Sequence, residues 1–154
     1  VALQDGLEGF DFLGCHLRKR MSGRLWQQEG VRRYYLQRWP SRKAMKRVRE
    51  RVRELTPRGR CHQDMRSVIA ELNPVLRGWG QYFQACNAAN HFTDVDDYVG
   101  KRLKSLRVKR HGRNLRVGQA DRWDRECFER LGLHRLRGTI RYSGKHNSWQ
   151  REPA

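Results

Sequence analysis

Apolar residues recur through the middle of the chain at spacings of three and four. Behind Pro40-Ser41, Met45, Val48, Val52 and Leu55 form one such series. Arg42, Lys43, Lys46, Arg47, Arg49, Arg51 and Arg53 hold the other faces, and Glu50 and Glu54 offer local ion pairs. Ser41 is a good N-cap, and Thr56-Pro57-Arg58-Gly59 is a stop, so the pattern predicts a basic amphipathic helix between them. A second helical region runs from about Gln63 to Cys86, with Met65, Val68, Ile69 and Leu72 on its first face. Asn73-Pro74 predicts a break or kink there, with Asn73 capping a new start and Pro74 in its first turn. Leu76, Trp79 and Phe83 then share a face, with Val75 and Tyr82 beside it. Gly78 and Gly80 each cost roughly 1 kcal/mol against Ala in a helix. Two of them in an apolar-periodic stretch imply close approach of another backbone or a ligand. After a polar connection over Asn87 to Asn90, a third helix is expected to start near Phe92. Thr93 is placed to cap it, and Asp94, Asp96 and Asp97 suit the positive end of its dipole. Val95, Val99, Leu103 and Leu106 form its stripe, bordered by Tyr98.

The flanks read differently. Phe10, Phe12, Leu13, Cys15 and Leu17 alternate in part, and Val31 to Trp39 is β-rich, with Tyr34, Tyr35 and Leu36. Joined through Ser22-Gly23 they predict one long antiparallel hairpin with a basic loop. Beyond residue 110, Asp121 to Leu131 predicts a short helix carrying Trp123, Cys127 and Phe128. Leu133 to Tyr142 is expected to hold an extended segment around Thr139-Ile140, and 143–154 reads as a mobile tail. The expected fold is mainly α with a small β-hairpin. Its parts are an N-terminal hairpin (1–39), a three-helix bundle (40–110) and a basic C-terminal extension and tail (111–154).

Charge turns this architecture toward a partner. The 154 residues hold 34 Lys and Arg against 16 Asp and Glu, a formal net charge of +18. A surface so basic repels itself unless it meets a polyanion, and nucleic acid is the leading one because phosphate contacts release condensed counterions. An acidic membrane surface comes second, and no apolar run is long enough to span a bilayer. Val1 is not an initiator Met, and the chain reads as an excised piece. Cys15, Cys61, Cys86 and Cys127 show no C-x-x-C spacing, which points to reduced thiols in a cytoplasmic setting rather than a zinc site, and His62 beside Cys61 lacks further ligands. The six histidines form no triad by spacing.

Two cationic stretches are candidates for phosphate contact: Arg42, Lys43, Lys46, Arg47 and Arg51 in the first helix, and Lys101, Arg102, Lys104, Arg107, Lys109 and Arg110 in the third. The competing reading for each is a solvated charged face, and the total charge favours contact. Arg77 and Gly78 are candidates for backbone contact, and Gln81 for a ribose hydroxyl. Trp79 and Phe83 read as core, whereas Tyr82 and one of Tyr34 and Tyr35 are free to stack on bases. Lys19, Arg20 and Arg24 form a basic loop tip. Asp96-Asp97 is the only adjacent acidic pair and reads as dipole chemistry, not metal binding.

Leu72-Asn73-Pro74 through Arg77-Gly78-Trp79 and Tyr82-Phe83 resembles the core of the group II intron maturase-specific domain, the thumb of intron-encoded reverse transcriptases. Phe10-Asp11-Phe12-Leu13-Gly14-Cys15-His16-Leu17 looks like the last block of their palm. Pro40-Ser41 with the basic helix, and Phe92-Thr93 through Leu106, match the first and third thumb helices, and Leu133 to Thr139 is similar to the ends of such proteins. The resemblance implies an RNA-binding domain that grips intron RNA and template–primer duplex to assist splicing and reverse transcription, with target DNA a further partner of the C-terminal extension. It implies no catalytic residue, metal or cofactor in this chain. The Mg2+ of the polymerase belongs to palm carboxylates in a Tyr-Ala-Asp-Asp type motif, which this sequence lacks. A double-stranded DNA binder and a ribosomal-type basic protein are the alternatives.

Overall fold

The computed structural model describes residues 9–21, 23–32 and 34–142. The expected tail, Ser22 and the side chain of Arg24 lie outside the described set. Three antiparallel strands come first, β1 (Phe10–Phe12), β2 (Cys15–Met21) and β3 (Tyr34–Pro40), in the order β1-β2-β3. The arms of the expected hairpin are β2 and β3, paired from Cys15↔Pro40 to Met21↔Tyr34. The structure corrects two details. Phe10–Leu17 is not one strand, because Leu13 and Gly14 take φ of 48° and 78° and turn β1 back onto β2 with Phe12 facing Cys15. Positive φ at both central residues is what a two-residue type I′ hairpin turn needs, and Gly14 supplies one of them without strain. The connection from β2 to β3 holds a short helix, α1 (Gly23–Glu29), instead of an open loop. Tyr34 and Tyr35 are both exposed, so the sheet's far end presents one ring on each face.

The helical body follows the periodicity. Helix α2 (Arg42–Leu55) starts as expected: the Ser41 hydroxyl accepts from the Ala44 amide at 3.2 Å. It ends at buried Thr56, whose hydroxyl donates to the Val52 carbonyl. A 3-10 turn (Arg58–His62) leads into α3 (Met65–Phe83). Arg60 fastens that turn: it donates to the Leu55 carbonyl at 2.8 Å and reaches both oxygens of Glu71 at 2.8 and 2.6 Å. Those bonds hold the Glu71 carboxyl below the usual carboxylate range.

The expected break at Asn73-Pro74 does not occur; α3 runs through Pro74. Proline costs about 3 kcal/mol in a helix interior. Here the carbonyl left without its donor is that of Ala70, four residues back on the exposed side, where water can serve it. Across the helix, Met65, Val68, Ile69, Leu72, Leu76 and Phe83 are buried in one continuous stripe, which outweighs the defect. Asn73 is not a cap. Its amide donates to the Gly132 carbonyl and its oxygen accepts from the His134 amide, both at 2.8 Å.

Helix α4 (Ala89–His111) begins four residues before Thr93, whose hydroxyl instead donates to the Ala89 carbonyl within the first turn. The start is set by Asn87, whose amide donates to the Arg38 carbonyl at 2.7 Å while its side-chain oxygen accepts from the Arg38 amide, tying the α3–α4 connection to β3. Past α4, a 3-10 turn (Gln119–Arg122) and α5 (Arg125–Arg130) replace the single expected helix, because Asp124 caps α5 by accepting from the Cys127 amide. Residues 132–142 contain no strand. Their donors go elsewhere: Leu136 and Arg137 amides to Asp96 at 3.1 and 3.0 Å, and the Arg141 amide to the Gln84 carbonyl. Trp123, Phe128, Leu133 and Leu136 join the same core as Val52, Leu72, Phe92 and Leu103.

The two glycines of α3 have different causes. A Cβ on Gly80 would lie 2.6 Å from the Leu136 side chain, whereas one on Gly78 would meet nothing within 4 Å. Gly80 therefore has a close neighbour, but it is the Leu136 side chain of the C-terminal segment and not the backbone or ligand that the two glycines implied. Gly80→Ala is expected to destabilise by about 1 kcal/mol or more through overpacking. Gly78→Ala should stabilise by about 0.5–1 kcal/mol through helix propensity. Chemical denaturation of both variants checks the pair, and equal shifts of the same sign would refute the assignment.

Candidate nucleic-acid interface

Helix α2 carries its cations in two rows. With Met45, Val48 and Val52 turned inward, Arg42, Lys46, Arg49 and Arg53 follow one another at i, i+4, i+7 and i+11 along one flank. Lys43, Arg47 and Arg51 follow at i, i+4 and i+8 along the other. The first row faces one hollow, and Lys43 and Arg47 of the second face another.

The first row lines a cleft of about 820 Å3 closed by Trp39, His16 and His91. Trp39 and His16 stack with ring centroids 5.1 Å apart, and Asp11 accepts from His16 at 2.7 Å. Lys46 stands 3.8 Å from Glu50, and the Arg49 guanidinium lies over the Tyr98 ring at 5.9 Å. Arg42 and Arg53 have no acidic partner among the described residues. Buried His91 Nδ1 has no hydrogen-bond partner there. The charge run suggested Arg42 and Lys46 as contacts; Arg49, Arg53, His16, Trp39 and His91 complete the cleft. The i, i+4, i+7, i+11 spacing was the signal for the two arginines, and the long-range placement of the other three left none.

In the second row, Lys43 and Arg47 face α3 and the β1–β2 turn across a hollow of about 650 Å3 that Leu13, Trp79, Tyr82 and Phe83 also line. Lys43 and Arg47 are likewise without an acidic partner among the described residues. Arg51 is paired with Glu54 at 2.8 Å. A third hollow, about 470 Å3, is lined by Lys19, Arg20, Trp26, Arg32 and Tyr34 on the far part of the sheet, with Lys19 over the Tyr34 ring. Arg77 and Gln81 lie together on α3 beside a hollow of about 450 Å3 that also takes in His134, Thr139 and Arg141 from the C-terminal segment. Gly78 is exposed next to them with open space above it.

The α4 cations do not form one surface. Arg102 donates to both the hydroxyl and the carbonyl of Thr56, and Lys109 to the Arg58 carbonyl at 3.2 Å, which fastens α4 to the end of α2. Lys104 turns the other way, 3.4 Å from Asp121, beside Lys101. Arg107 is half-buried and its Nε has no partner among the described residues. Arg110 is exposed. Asp97 pairs with Arg125 and lies 3.9 Å from Arg137, while Asp96 is buried, so neither serves the helix dipole. No group of three or more metal-ligating side chains occurs among the described residues, and no described helix is long and apolar enough to cross a membrane. The four thiols are unbridged, with Cys15 and Cys86 sulfurs 3.9 Å apart; burial pushes the Cys86 thiol up to about 11.

Burial holds His91 below its ordinary pKa, with Arg49 adding to the shift and Asp94 opposing it; burial and then Arg77 do the same to His134. The unfolded chain therefore binds more protons than the folded one below about pH 6.5. Stability from these groups is complete above that pH and falls as the pH drops through it toward the lowered folded values. The thermal midpoint is expected to decline between pH 7 and 5, and His91→Gln should flatten part of the slope. An unchanged midpoint across that range would contradict the burial argument.

A family model described as Group II intron, maturase-specific domain matches residues 45–124, a little over half of the 154-residue chain. The match spans most of α2, all of α3 and α4, and the turn before α5. No curated protein matches the chain.

Proposed function

The chain belongs to the group II intron maturase-specific domain family, and from that membership we propose that it is the thumb and maturase domain of a group II intron reverse transcriptase. The family places it in intron splicing through RNA binding. The finer reading is that it grips both the folded intron RNA and the template–primer duplex of reverse transcription, in the cytoplasm. Target DNA is a further partner, met through the residues after 110. Polymerase chemistry and its Mg2+ belong to a palm with the acidic motif that this sequence lacks.

The observation that carries the reading is the pair of cation rows on α2, with Arg42, Lys43, Arg47 and Arg53 free of acidic partners among the described residues and each row opening on an aromatic-walled hollow. Unpaired guanidinium and ammonium groups on a rigid helix lose little on meeting phosphate, and arginine bridges two phosphate oxygens at once. Release of counterions supplies the driving force, while the fixed spacing of the rows positions the backbone instead of reading bases.

The test is binding to a folded group II intron RNA across a salt series with duplex DNA as competitor. Tighter RNA binding that survives DNA competition is the expected result. Equal affinity for both polymers, collapsing together with salt, would reduce the interface to charge alone, and preference for duplex DNA would favour a major-groove binder.

A further inference from the structure

The hollow between the β1–β2 turn, α2 and α3 holds an aromatic ring that the core does not need. Tyr82 is 59% exposed although it borders the buried stripe of α3. It is nevertheless fixed. Its hydroxyl donates to the Leu13 carbonyl at 2.6 Å, and its ring meets Phe83 edge-on, with centroids 4.7 Å apart and planes at 79°. The Leu13–Gly14 turn with both residues at positive φ brings that carbonyl to Tyr82. A ring braced at both ends loses little freedom when a second flat group stacks on it.

The cations beside it fit the same ligand. Lys43 and Arg47 are one turn apart on α2, about 6 Å along the axis, and line the hollow from the side opposite Tyr82 and Phe83. Asp11 is the only acid on the wall among the described residues, and its carboxylate is taken by His16 at 2.7 Å. The site thus combines a stacking face, an apolar cavity of about 650 Å3 and two unpaired positive charges. A bare duplex backbone would use the charges and leave the ring idle. An apolar peptide would use the ring and leave the charges idle. A nucleotide whose base is out of its helix uses both.

We propose that this hollow receives a single unpaired nucleotide of the bound RNA, its base stacked on Tyr82 and its phosphate held by Lys43 and Arg47. The inference rests on the RNA-binding reading and adds a preference to it: RNA with an extruded base is held better than continuous duplex. Because stacking tolerates any base, the preference concerns an unpaired position, not its identity.

The experiment compares two RNA hairpins that differ by one bulged nucleotide, with 2-aminopurine at the bulge as reporter, on the full chain. The bulged hairpin is expected to bind roughly tenfold tighter, the scale of one stacked base, with its fluorescence quenched on binding. Tyr82→Leu should weaken the bulged complex by about the same factor and abolish the quench, whereas Tyr82→Phe, which keeps the ring, should retain most of both. Circular dichroism of each variant reports folding independently. Equal affinity for the two hairpins, or a preference that survives Tyr82→Leu, overturns the proposal while leaving RNA binding intact. Failure of both hairpins to bind would overturn the RNA-binding reading itself.

Discussion

Replacing Asp96 with alanine is expected to destabilise the domain by roughly 2–5 kcal/mol, since a buried and a part-buried amide lose a charged acceptor together. Asp96 is 6% exposed, in the first half of α4, and its two oxygens accept from the Leu136 and Arg137 amides. Neither amide has a strand partner, because residues 132–142 form no strand. Native domains hold only about 5–15 kcal/mol in total, so the loss is large. Asp96→Asn keeps one acceptor oxygen and should fall between the wild type and alanine. Asp97→Ala, which removes a partly exposed ion pair with Arg125, should cost under about 1 kcal/mol. Denaturant titration measures all three. Hydrogen exchange should show the amides of 134–141 opening first in Asp96→Ala, while the centre of α2 keeps its protection. Equal costs for Asp96→Ala and Asp97→Ala would mean that the C-terminal segment is held by Leu133 and Leu136 burial and by the Asn73 and Gln84 bonds, without need of Asp96.

The same residue marks where sequence reading stops. Periodicity located α2 to within a residue and placed the stripes of α3 and α4, because burying one face of a helix is a local demand that spacing records. Asp96 and Asn73 carry the same local signals as caps. Their partners lie 40 to 61 residues later, and nothing within a turn of either one reports this. Pro74 misled for a related reason: the local rule predicts a break, and the buried stripe on the far side of the helix overrules it. The interface divides the same way. That α2 is cationic was legible, and so was the chance that its charge meets RNA. Which cations remain unpaired was not, since Arg51 is taken by Glu54, three residues away, and Arg102 by Thr56, 46 residues earlier in the chain. Gly80 sits between the two cases. The sequence announced a close approach, and only the fold shows that the Leu136 side chain makes it, in place of a backbone or ligand.

That division gives the second large effect. Changing Arg42, Lys43, Arg47 and Arg53 together to glutamine should lower affinity for folded intron RNA on the order of hundredfold at low salt, and reduce the salt slope by about 3, near 0.7–0.9 for each phosphate no longer neutralised. All four side chains are exposed and without acidic partners among the described residues, so the thermal midpoint should hardly move. Single neutralisations separate the positions: Arg47→Gln should weaken binding more than Arg51→Gln, because Arg51 is already held 2.8 Å from Glu54. Arg102→Gln should do the opposite of the quadruple change. It strips α4 of its bonds to Thr56 at the end of α2, so stability falls first and the salt slope of the folded fraction stays as it was. Filter binding across a salt series, paired with thermal melts of the same samples, distinguishes these outcomes. If the quadruple variant kept the wild-type slope, the phosphates would lie elsewhere, and the Arg77–Arg141 surface would become the place to look. A matched fall in slope and affinity with an intact melt would instead locate the grip on α2, whose two rows diverge around one helix and so fix both the position and the rotation of a bound backbone.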